Sequence, residues 1–294
     1  TYAYDASGLL ISAEDAASKV QFAYDGADRP IRTIQTNKTS GVSTQIDYEY
    51  DADGNRTKMT LAANPSPFVW TYSYDSFGRM TSITAPQSKT FTFSYDSLDR
   101  RTRIGYPNGT EALYAYDNAH QLLSITHRRI SNQVVIASAT YTYDNAGNRL
   151  TMTDRAGAHG YSYDDRHRLV GALHPPGSMF SGSETFAYDA GGNRISDNLR
   201  TGYSYDAADR LEGDSEYTYE SDANGNRISR TQRSSGLSTA YSWDKLDRLV
   251  NASGPASAAV SFKHDVFGRI IEKTVSTTTV QTIRRIYSEG DLIA

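Results

Sequence analysis

One phrase recurs from end to end of this chain, and any fold must accommodate it at every occurrence. At 141–151 it reads YTYDNAGNRLT and at 72–84 YSYDSFGRMTSIT. With the Asp as marker, copies fall at Asp5, Asp25, Asp51, Asp75, Asp96, Asp117, Asp144, Asp164, Asp189, Asp206, Asp222, Asp244 and Asp265, with a degenerate last copy at Tyr287–Ser288. The gaps run from 16 to 27 residues, so fourteen copies fill all 294 residues. We therefore expect a single array over 1–294, with no second domain of different composition. Such a period marks a repeat architecture, in which each unit buries its apolar face only against its neighbours.

Ahead of the Asp the pattern alternates with period two. Phe91, Phe93 and Tyr95 are interleaved with Thr92 and Ser94, and Tyr141 and Tyr143 with Thr140 and Thr142. Aromatic and β-branched residues at this period predict a half-buried β-strand. Asp-x-x-Gly then supplies a turn: a carboxylate able to accept backbone N–H groups, followed by a residue tolerant of positive φ, as at Gly54, Gly78, Gly147, Gly225 and Gly268. A second strand follows. In the Gly-Asn-Arg copies, such as Gly147-Asn148-Arg149, the apolar residues restart one position later, which predicts a bulge or a four-residue loop in those copies. The sheet-face aromatics expected from this register include Tyr72, Tyr74, Phe93, Tyr95, Tyr141, Tyr143, Tyr161, Tyr163, Tyr203 and Tyr205. At the opposite edge the connections vary and hold the breakers: ANPSP at 63–67, TAPQS at 84–88, YPNG at 106–109, LHPPGSMFSGS at 173–183 and SGPAS at 253–257. Only SAEDAASK at 12–19 admits a helical reading, and the strand reading is preferred there too.

The phrase Tyr-x-Tyr-Asp-x-x-Gly-Arg, in tandem, resembles the YD-repeat or RHS-repeat family of bacterial Rhs proteins, the B and C components of insecticidal Tc toxins, wall-associated bacterial proteins and teneurins. The resemblance covers the whole chain. Some copies depart from it: Ser221, Trp243 and His264 stand in the second Tyr slot and Gln121 in the Arg slot. It implies an all-β fold of tandem hairpins forming a continuous, antiparallel, spiralling sheet, of which this chain supplies part. Relatives often continue into a self-cleaving aspartyl segment and a toxin domain. The chain stops at RRIYSEGDLIA, and no residue matches that segment.

Composition removes other classes. Net charge is −4 with both signs interspersed, so the one-sided basic field that nucleic acid requires is missing. No apolar run reaches membrane-spanning length, and no signal segment opens the chain, which begins inside a repeat as a piece of something longer would. Without cysteine there are no disulfides or thiolate sites. The composition stands out in 22 Tyr and 23 Arg, side chains that stack and hydrogen-bond on one another.

Chemistry-bearing residues yield little. A dozen equivalent Asp residues argue for turn formation, not acid–base catalysis, and no catalytic residue is assigned. DADGN at 51–55 resembles the opening of a calcium loop, but Ala62 stands where the closing Glu belongs. His120, His127, His159, His167, His174 and His264 show no ligand spacing, so no metal or other cofactor is expected. The reading is a non-enzymatic shell segment that in its parent encloses a secreted effector. Its partners would be the remaining repeats, that C-terminal effector, and, through open sheet edges, a second copy. The alternative is a cell-surface adhesion module using aromatic faces for sugars or proteins. Either implies a secreted or surface location.

Overall fold

The computed structural model describes residues 1–255, 258–277, 279–288 and the backbone of 291–292. Of the variable turn at 253–257, Ala256 and Ser257 lie outside the described residues, as do 289, 290, 293 and 294 of the closing segment. Strands dominate, with seventeen in one sheet and nine in another, and ladders join strands consecutive in sequence and antiparallel. Helical backbone among the described residues is confined to 3-10 geometry, at the turn Pro86–Ser88 and at Pro255. Residues 12–19, where a helix was conceivable, instead end the strand Leu10–Glu14, turn, and start the strand Ser18–Tyr24.

The chain divides into two compact units. One contains 1–69 and 204–294. Its N-terminal strands run in succession through Ser18–Tyr24, Pro30–Asn37, Val42–Tyr50 and Arg56–Leu61, and its C-terminal strands from Ser204–Tyr205 to Val280–Arg284. The apolar core lies here: Val20, Ile46, Tyr48, Met59, Leu61, Tyr219 and Ile271 are buried. The two parts of this unit meet directly. Ser18 Oγ accepts the Val266 N–H at 3.0 Å, the Tyr48 hydroxyl lies 3.1 Å from Ser288 Oγ, and the Phe22 ring meets Phe267 edge-on.

The other unit, 70–203, carries the regular hairpins from Met80–Ala85 to Leu169–His174. Its buried apolar residues are few and small, Ala112 and Ala172. The side chains instead lean on their strand neighbours: Tyr72 and Tyr74 are half-buried whereas Thr71 and Ser73 are exposed, and Tyr141 and Tyr143 alternate with exposed Thr140 and Thr142, apart from a half-buried Ala139. With so few buried apolar side chains, cross-strand pairs carry much of its stability. Charge contributes as well. Glu111, only 4% exposed, accepts from Arg103 at 2.5 Å and Arg128 at 2.7 Å on the flanking strands. Those guanidiniums, Arg103 first, hold its carboxyl below the usual range against the opposing effect of burial.

Candidate functional site

The repeated element builds one corner many times. In each, the Asp N–H donates to the carbonyl four residues on, and the N–H three residues on donates back to the Asp carbonyl, as in Asp75 to Arg79 at 2.9 Å and Gly78 to Asp75 at 3.0 Å. Asp75 Oδ1 then accepts the N–H groups of Phe77 and Arg79, at 2.9 and 3.0 Å, while Oδ2 takes the Arg79 Nε at 2.8 Å. The same pattern recurs at Asp25, Asp96, Asp164, Asp206, Asp244 and Asp265. Asp51, Asp144, Asp189 and Asp222 hold an Asn side chain at Oδ2 instead. Asp117 accepts the N–H groups of Ala119 and Gln121.

One expectation needs correction. The Asn copies have no longer turn, since Tyr143 pairs with Arg149 just as Tyr74 pairs with Met80, and both ladders bulge immediately before that pair. The loop is counted from the carboxylate, which reaches the N–H groups two and four residues ahead. Asn148 therefore occupies the place of Arg79, and Arg149 begins the next strand. The positive-φ position is not confined to glycine. Gly54, Gly78, Gly147, Gly225 and Gly268 occupy it, but so do Asp28, Asp99, Asp209, Asp247, His120 and His167, with φ between 55° and 63°. Short polar side chains tolerate the left-handed region better than most, which explains the choice of Asp and His there.

Arginine ties several corners to the next. Arg100 passes its Nη1 to the Asp117 carbonyl at 2.6 Å and lies 4.9 Å from the Tyr116 ring. The Tyr116 hydroxyl donates back to the Arg101 carbonyl at 2.9 Å. Equivalent links join Arg29 to Asp51, Arg79 to Asp96, Arg168 to Asp189, Arg210 to Asp222 and Arg248 to Asp265. Tyr95 and Tyr143 donate in the same way to Met80 and Leu122, and Tyr163 to Arg149. Tyr72, Tyr74, Phe93, Tyr141, Tyr161, Tyr203 and Tyr205 are likewise half-buried, and Arg149 lies 4.6 Å from the Tyr161 ring. Erosion of the phrase keeps the contact where chemistry allows: Trp243, in a Tyr slot, gives its indole N–H to the Arg227 carbonyl at 2.9 Å. His264 is buried in its Tyr slot, and burial, then the Arg248 charge, keeps its ring below the ordinary histidine range.

The electrostatics follow from these bonds. At Asp164 the Arg168 N–H, followed by its guanidinium, lowers the carboxyl from its usual range. At Asp144 the Asn148 amide is the largest influence and lowers the carboxyl in the same direction, against burial. At Asp244 burial pushes upward, and the N–H groups of Leu246 and Arg248 with the Arg248 guanidinium outweigh it. A carboxylate saturated by its own turn is a poor base or nucleophile. Asp51, in the segment resembling a calcium loop, spends its oxygens on the N–H and amide of Asn55. Among the described residues, no group of three or more His, Asp or Glu side chains is placed to hold a metal ion.

Sequence reading missed one cluster. His159 and His174 face each other, with their Nδ1 atoms 2.7 Å apart. The signal was present but needed the register: Gly160 pairs with Leu173, which sets His159 opposite His174.

A chain of recurrent corners closed by the same backbone bonds, many of them cross-tied by Arg and Tyr, defines a repeat-built β wall. Comparisons give that class its family. The RHS Repeat profile matches residues 4–42, 68–90, 74–111 and 95–129, and the Teneurin YD-shell profile matches 156–292. The chain belongs to the YD-repeat, or RHS-repeat, family. It is similar to Double-stranded DNA deaminase toxin A of Burkholderia cenocepacia (strain H111), 31% identical over 121 residues, which is 40% of this chain and 8% of that protein. Its fold is similar to the crystal structure of TcdB2-TccC3-Cdc42, with TM-score 0.78 at 16% identity over 97% of this chain and 18% of that one. It also resembles a Photorhabdus luminescens Tc holotoxin pore, with TM-score 0.64 at 14% identity over 95% of this chain and 18% of that one. The chain thus spans under a fifth of each of these relatives.

Proposed function

We propose that this chain is a structural, non-enzymatic stretch of shell wall that in its parent encloses a secreted toxin or effector. The observation that carries the reading is the recurrent corner-to-corner link, in which Arg29, Arg79, Arg100, Arg168, Arg210 and Arg248 reach the next corner's carbonyl and tyrosines such as Tyr95, Tyr116 and Tyr143 return a hydrogen bond. This commits the recurrent polar groups to holding one repeat against the next. The likeness to the fold of Tc toxin chains, and to a toxin over part of the chain, supports a container role. Fourteen repeats then act as a single array. Its partners are the remaining repeats, the effector, and, through the edge strand Val280–Arg284, whose five residues are all exposed, a second copy. A secreted or surface location fits this role, and no helix among the described residues is long and apolar enough to cross a membrane. An adhesion role for the aromatic faces draws less support, because the tyrosines are half-buried and several hydroxyls are bound to neighbouring carbonyls.

Electron cryo-microscopy of the full parent protein tests the proposal. A particle with a closed lumen holding unassigned density is expected, and a compact particle without a lumen would overturn it.

A further inference from the structure

Away from the corners, in the unit 70–203, four titratable side chains form a line. Asp154 Oδ1 lies 3.3 Å from His159 Nε2, the two histidine Nδ1 atoms are 2.7 Å apart, and His174 Nε2 lies 3.4 Å from Glu184 Oε2. His159 is only 5% exposed. Each imidazole is thus held from behind by a carboxylate on its outer nitrogen and turns its inner nitrogen toward the other ring. Proteins orient metal-binding histidines in this way, because a carboxylate on the far nitrogen fixes the tautomer and strengthens the near one as a ligand.

The inner nitrogens stand 2.7 Å apart, and a metal ion can stand between them. A tetrahedral ion with metal–nitrogen bonds of about 2.0 Å sets its nitrogens about 3.3 Å apart, so the rings need to part by roughly half an ångström. His174 is the last residue of its strand, leads into the loop at 175–181, and borders the cavity into which its ring would shift. The cavity beside the pair has a volume of about 640 Å³ and is also lined by Met152, Met179, Tyr161, Arg155 and Phe180. Met179 is 90% exposed on the loop, so its thioether can swing inward. Imidazole and thioether together form a soft ligand set that selects Cu(I) over harder divalent ions, and the two carboxylates are already engaged on the outer nitrogens.

We propose that His159 and His174, completed by the thioethers of Met152 and Met179, bind one cuprous ion. This site is independent of the shell role. The test titrates the full chain anaerobically with Cu(I) delivered from a chromophoric chelator. One equivalent should transfer to the wild type. The double variant His159→Ala/His174→Ala should take none, and Asp154→Asn should weaken uptake by about 10- to 100-fold through its hold on the ring. Met152→Leu/Met179→Leu, which conserves volume, should weaken Cu(I) uptake while leaving the urea midpoint unchanged. X-ray absorption of the wild-type complex, which does not depend on any variant folding, should show nitrogen and sulfur neighbours. Failure of the wild type to take up Cu(I), uptake retained by the folded double-histidine variant, or a copper environment without histidine nitrogen would each overturn the proposal.

Discussion

The corner at Asp222 and its successor at Asp244 close with the same backbone bonds, yet they send different groups to the next corner. Asp244 holds Arg248, whose long side chain reaches onward to the Asp265 carbonyl at 2.9 Å. Asp222 holds Asn226, whose short amide reaches only a side chain that comes to meet it: Asp247 Oδ1 accepts from both Asn224 and Asn226, at 3.0 and 2.6 Å. The arginine freed from the corner, Arg227, instead lies 4.2 Å from the Tyr219 ring. Corner closure is thus an invariant requirement, whereas the link between corners has interchangeable solutions. That difference explains how the phrase tolerates Asn, Gln, Trp and His without losing the fold.

Acid should break both kinds of corner together, and this is the largest effect expected. The corner carboxyls that are held below their ordinary value, Asp144, Asp164 and Asp244 among them, favour the ionised form in the fold. Their stabilisation is complete above the unfolded carboxylate value of about 3.9 and is lost as pH falls through the lower folded values. His264, also lowered, acts in the same sense from a higher pH, opposing its own protonation in the fold. Circular dichroism against pH should show the strand signal collapsing below about pH 4, and a signal unchanged down to pH 2 would contradict the corner electrostatics.

Removing a single carboxylate comes next. Asp244→Ala strips the acceptor from the Leu246 and Arg248 N–H groups and from the guanidinium, and should cost about 2–3 kcal/mol in urea unfolding. Asp222→Ala should cost less, because its Oδ2 partner is a neutral amide, and an equal loss at both would erase the distinction drawn above.

The positive-φ position separates the two corners more finely. Gly225→Ala, at φ 92°, should cost about 1–2 kcal/mol from backbone strain, since the nearest atom to the added methyl is Arg210 Cδ at 3.7 Å and space is not the obstacle. Asp247→Gly relieves strain at φ 55° but forfeits both asparagine bonds, so its net change should be small. A large loss would give the Asn–Asp link more weight than the geometry does. Smallest of all should be Arg248→Asn, which converts one corner type into the other. The bond to the Asp265 carbonyl is lost while the Asp244 bonds are retained, at about 1 kcal/mol by thermal melting.

The sequence by itself determined the fold class and the recurrent strand-and-turn phrase, because both signals are local. Alternating residues such as Phe91, Phe93 and Tyr95 specify a strand face, and a carboxylate at Asp96 can reach only the N–H groups a few residues ahead. Local chemistry also misled where it was judged by spacing: the extra residue in Gly147-Asn148-Arg149 is extra only relative to the arginine, not to the Asp that sets the loop. Only the tertiary structure decided what crosses between strands. Glu111 between Arg103 and Arg128, Ser18 against the Val266 N–H, and His159 opposite His174 all depend on ladder register and strand packing. A sheet has period two along each strand but no fixed period across strands, so partners distant in the chain become legible only once the register is known.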